Sequence, residues 1–154
     1  METTIEAKPI FNGRHLPQTI AALVAQLGGV NLSGAFVCTG ADRTKAVYVH
    51  PEGRDDEEVR GDEGMFEAGG PVFTVGVAFP VNGARKEGWM MAVNYAGNDT
   101  YTVWLWRQTA GQPAEMLQRD VGIYGENLTN AVLDIYDAAI NEYNGGFIPL
   151  DDDE

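Results

Sequence analysis

A thiolate nucleophile needs an imidazole within hydrogen-bond reach, and this chain offers one cysteine, Cys38, with His15 and His50 as its only histidines. If residues 35–39 and 46–50 pair as a hairpin around 40–45, Cys38 lies opposite Val47. His50 then falls three residues further along, roughly 10 Å away at about 3.3 Å per residue. That is too far for a dyad, and Cys38 shares its strand face with Phe36, so it reads as a packed core thiol. Ser33 is the sole serine, and its Asn-Leu-Ser-Gly context lacks the glycine two residues upstream that a nucleophile elbow uses. It reads as part of the turn before the first strand.

Metal and cofactor chemistry find no better footing. One cysteine and two histidines cannot furnish the four ligands of a structural zinc site. Asp55, Asp56, Glu57, Asp62 and Glu63 crowd oxygen ligands together, but DDEEVRGDEG is not the alternating D-x-D-x-D-G pattern of a calcium loop. The run reads as solvated charge. Neither G-x-G-x-x-G nor a Walker motif occurs, so no phosphate-binding loop and no cofactor is expected. Asp134 and Asp137 share one helical face, as acid/base partners would, yet no neighbouring residue argues for a shifted pKa; they read as a polar contact surface. The chain is expected not to be an enzyme.

Charge says more than motifs do. Twenty-three acidic residues against ten basic ones leave a net charge of -13. The excess is concentrated: residues 52–67 sum to -6, residues 115–142 to -5 and residues 151–154 to -4. Such a surface repels nucleic-acid phosphates and anionic lipid. No apolar run approaches the roughly 20 residues that span a bilayer. The lone cysteine and the lack of a leader-like start point to the cytoplasm, which also discounts the Arg60-Gly61-Asp62 tripeptide and the sequons at Asn31, Asn98 and Asn127 as extracellular signals.

The elements that must position these residues are legible as periodicity. Pro17 opens a helix in which Ile20, Leu23, Val24 and Leu27 recur at helical spacing, and Gly28-Gly29 stops it. Residues 35–39 and 46–50 read as a hairpin, pairing Phe36 and Cys38 with Val47 and Val49. Residues 51–71, with five glycines, two prolines and eight carboxylates, read as a long exposed acidic loop. Phe73, Val75, Val77 and Phe79 then alternate on one strand face, a Pro80-Val81-Asn82-Gly83 turn follows, and a partner strand runs near Trp89 to Tyr95. Residues 100–108 carry large apolar groups at both parities and read as a central strand, with residues 115–124 as the last of the meander. Leu128, Val132, Ile135, Tyr136, Ala139 and Tyr143 stripe a closing helix capped by Asn127 or Thr129, whose other face bears Asn130, Asp134, Asp137 and Asn141.

These elements predict one α+β domain over residues 1–154: an antiparallel sheet of five or six strands with the N-terminal and C-terminal helices packed on one face, and an acidic tail at 151–154. Trp89, Tyr95, Tyr101, Trp104 and Trp106 either line an exposed sheet face as binding anchors or fill the core, and the core is favoured. With no nucleophile, metal cluster or cofactor loop, the chain reads as a non-catalytic acidic protein that docks on a basic protein or complex that handles nucleic acid. Phage or plasmid inhibitors of the anti-CRISPR or anti-restriction kind offer an analogy of size and charge. A self-assembling scaffold module is the second reading, and an enzyme with an unrecognised acidic site the third. The partner-binding residues expected are Asp55, Asp56, Glu57, Glu58, Asp62, Glu63, Asp134 and Asp137.

Overall fold

In the computed structural model the described residues are 8–9, 16–27, 39, 45–50, 64–82 and 88–143. They form an α+β fold. The main sheet is wholly antiparallel and has the order β1-β2-β5-β6-β7-β8, built from β1 (Lys8–Pro9), β2 (Val47–Val49), β5 (Gly76–Asn82), β6 (Gly88–Gly97), β7 (Thr100–Arg107) and β8 (Glu115–Tyr124). Five of these strands have three residues or more; β1 is a two-residue addition to the edge. A separate two-stranded ribbon consists of β3 (Met65–Glu67) and β4 (Gly70–Val72). The described residues also form two α-helices, α1 (Gln18–Gln26) and α2 (Leu128–Tyr143), the latter preceded by a 3-10 turn at Gly125–Asn127.

Both helices lie on one sheet face, as their stripes require. Ile20, Leu23, Val24 and Leu27 from the first helix, and Leu128, Val132, Ile135 and Ala139 from the last, are buried in one cluster with Val77, Phe79, Trp89, Met91, Val93, Val103 and Leu105. The sheet residues are all odd-numbered because alternate side chains of a strand share a face, and the register keeps them aligned across β5, β6 and β7. Each fully buried Leu or Val contributes roughly 1.5–3 kcal/mol. Thr129 adds a polar tie by donating its hydroxyl to the carbonyl oxygen of Gln26 at 2.5 Å, which fixes the two helices to each other. In that role it is a cross-link, not the cap expected of it.

The opposite face has its own small core, formed by Ala92, Trp104 and Trp106 with Phe66, Phe73, Ala78, Met90 and Ala114 packed against it. Its cover is the β3-β4 ribbon, hereafter the strap. This corrects the long exposed loop expected at 51–71: residues 64–71 run through the strap, while 51–63 lie outside the described residues. Phe73 likewise belongs to this second core and not with Val75, Val77 and Phe79, since a bend at Thr74–Val75 interrupts the alternation before β5 begins.

Two further expectations change. Pro80 sits inside β5, opposite Met90, where a turn was expected. Proline is tolerated there because β2 pairs with residues 76–78 and, among the described residues, no strand pairs with Pro80 on that side. The neighbours of β2 are β1 and β5; residues 35–38, expected as its hairpin partner, lie outside the described residues, and Thr39 is a buried turn residue. β7 is central as expected, and β8 is the sheet's last strand. Irregular register at Tyr101/Val103 and Leu105/Trp106 gives β8 an extra residue at two places, and Gly122 takes a φ of +73° beside the first. Bulges of this kind twist an edge away from indiscriminate pairing.

Candidate functional site

The outer face of α2 is the acidic surface that can be built residue by residue. Its inner stripe is anchored in the helix-side core, and Tyr136 meets Trp89 edge to face at 6.4 Å. Rotation of the helix is thereby fixed, and Asn130, Asp134, Asp137 and Asn141 are all exposed along the opposite face. Glu142 is exposed beside them, and the helix contains no basic residue. The structure therefore brings Asp134 and Asp137 together as expected. Asp55, Asp56, Glu57, Glu58, Asp62 and Glu63 lie outside the described residues.

The helix carboxylates act on their surroundings. The Tyr136 phenol is pushed above its usual value chiefly by burial and secondarily by the negative charge of Asp137. Near the other end of the sheet Tyr101 is raised by burial first, then by Tyr95, its cross-strand partner at 5.7 Å between centroids, and by Asp99.

The aromatic residues divide by parity. Trp89 faces the helices and is buried, and Tyr95 and Tyr101 are half-buried on that same side. Trp104 and Trp106 face the strap and are 1% and 5% exposed, so the core reading holds for all three tryptophans. On the strap side Phe66 stacks on Trp104, and the Arg119 guanidinium lies 5.0 Å from the centroid of the same ring. Two strap glycines permit this closeness. A Cβ on Gly70 would meet the Trp106 indole nitrogen at 3.0 Å, one on Gly64 would meet the Val72 oxygen at 2.8 Å, and both residues have positive φ, +109° and +76°. Beneath the strap, the Trp104 indole N–H donates to Asn94 Oδ1 at 2.6 Å, an interaction no pattern in the sequence announces.

The second face is also where exposed apolar groups collect. Met65 and Val72 are register partners on the strap, and their neighbours Phe66 and Pro71 are the more covered pair. Met116, Arg119 and Tyr124 of β8 lie opposite Trp106, Trp104 and Thr100, hence on the same face as those residues. Val121, two residues on from Arg119, is exposed too. Sequence reasoning missed this surface because the strap was not recognised as an element.

Among the described residues no group of three or more His, Cys, Asp or Glu could hold a metal ion. No helix among them is long and apolar enough to cross a membrane. No family model, curated protein or solved structure matches the chain.

Proposed function

We propose that the protein acts by binding, as a non-catalytic acidic module that docks on a basic protein or complex, of the kind that handles nucleic acid, in the cytoplasm. The observation that carries this reading is the outer face of α2, where Asp134 and Asp137 are held in the open on a rotationally fixed helix with no basic residue. In sequence the reading is reinforced by the acidic residues between 52 and 67 and by the tail at 151–154. A surface of this sign is attracted to basic clefts, raises association rates and competes for the path a phosphate backbone would take. An inhibitor of the anti-CRISPR or anti-restriction kind is one form such a protein takes.

The test is salt-dependent capture. A basic partner bound at low salt should be released as screening shortens the reach of the carboxylates. Replacing Asp134 and Asp137 with Asn should weaken capture further, and neutralising Asp55, Asp56, Glu57 and Glu58 should do the same if that run contributes. Affinity indifferent to salt and to both sets of substitutions would contradict the proposal.

A further inference from the structure

The described charges are not spread evenly over the two sheet faces. Asp134, Asp137 and Glu142 lie on the helix side, whereas the strap face carries one acid, Glu67, and one base, Arg119, both exposed. Among the described residues these two charges cancel on this face. It also holds the five large apolar side chains most open to solvent among the described residues: Met65 at 61%, Val72 at 51%, Met116 at 46%, Val121 at 44% and Tyr124 at 57%. Together they expose on the order of 500 Å² per copy, so two copies would bury about 1,000 Å² from these side chains alone, close to the lower bound of a specific interface.

The surface is stepped. The strap stands as a ridge over Trp104 and Trp106, presenting Met65, Val72 and Glu67 outward, and β8 lies beside it as a shelf bearing Met116, Arg119, Val121 and Tyr124. A ridge next to a shelf is self-complementary under a two-fold axis: each ridge settles on the other copy's shelf. The same operation brings the apolar pair of one copy to the apolar trio of the other. A partner recognised by charge would take the acidic helix face instead, which this arrangement leaves outward. We infer that two copies of this chain associate through the strap face, the ridge of each resting on the β8 shelf of the other.

Sedimentation equilibrium of the full chain, at about 0.05 M and about 0.5 M salt, tests this without any knowledge of a partner. The expected result is a reversible dimer in the micromolar range that tightens with salt, because screening relieves the repulsion between two acidic copies; acidic docking on a basic partner has the opposite dependence. Val72→Asp and Met116→Asp should each abolish the dimer with an unchanged far-UV spectrum. Glu67→Arg, at an exposed position outside both cores, should weaken it about tenfold by adding a second positive charge to the face that carries Arg119, a change of about 1.4 kcal/mol. A monomer at both salts, a dimer that survives Val72→Asp and Met116→Asp, or open-ended association would each overturn the inference. So would a monomeric chain that loses capture of a different protein on Val72→Asp, since that result assigns the face to the other protein.

Discussion

Phe66 stacks on Trp104 with ring centroids 6.2 Å apart and planes 25° from parallel, and this contact joins two sheets that share no ladder. A backbone hydrogen bond from the Ala114 amide to the Ala68 carbonyl oxygen ties the strap's turn to the chain entering β8. The strap is thus held mainly by side-chain burial. Phe66→Ala should cost about 2 kcal/mol, less than the loss of a fully buried phenylalanine because the ring is half-covered. Gly70→Ala should cost about 1–3 kcal/mol, through positive φ and contact with the Trp106 indole. Urea denaturation gives the stabilities, and acrylamide quenching should show tryptophan emission becoming more accessible in both variants. Unchanged quenching would mean that the strap does not protect the indoles.

Asn94 and Thr102 are opposed in register and both fully buried on the strap face, yet they should respond differently to loss of their polar atoms. Asn94→Ala strands the Trp104 indole N–H in a dry core and should cost about 1–3 kcal/mol. The Thr102 hydroxyl makes no hydrogen bond among the described residues. Thr102→Val keeps the shape and removes a buried polar atom, so it should be neutral or stabilising by about 1 kcal/mol. Equal destabilisation by the two substitutions in chemical denaturation would contradict this difference.

The two raised phenols make a prediction at alkaline pH. Tyr101 and Tyr136 have folded-state values above the ordinary 10.0, so their neutral forms are favoured by the fold. Their contribution is fully present below about pH 10 and is lost as pH rises through their folded values. Tyrosinate absorbance should show a late-titrating component, and Tyr101→Phe and Tyr136→Phe should each reduce it. A titration curve that neither substitution changes would contradict the raised values of these two phenols.

Exposed carboxylates on α2 should matter for charge and not for folding. Asp134→Asn and Asp137→Asn, alone or together, should leave stability within about 0.5 kcal/mol of the parent. The double variant should elute earlier from an anion exchanger. A large loss of stability would show that these residues have structural partners.

Much of the fold can be read from periodicity because its signals are long. The stripe from Leu128 to Ala139 and the alternation of residues 100–107 each repeat often enough to fix both an element and a face. The strap is illegible for the opposite reason: three-residue strands around Ala68-Gly69, lying among charges, offer too few repeats to register. Phe73 misleads because the bend at Thr74–Val75 resets the parity that Val75, Val77 and Phe79 share. Asp134 and Asp137 could be placed because a helix stripe names its own outer face. The strap-face surface could not, since Met65 and Met116 acquire meaning only once the ribbon over Trp104 is known.

Capture from a bacterial lysate at low and at moderate salt, comparing the parent with the Asp134→Asn/Asp137→Asn chain and identifying bound proteins by mass spectrometry, tests acidic docking most directly. The account predicts enrichment of a basic nucleic-acid-handling protein or complex by the parent, lost as salt rises and reduced by the double substitution. Recovery of the chain alone, or of a partner held equally well by both chains at both salts, would contradict it.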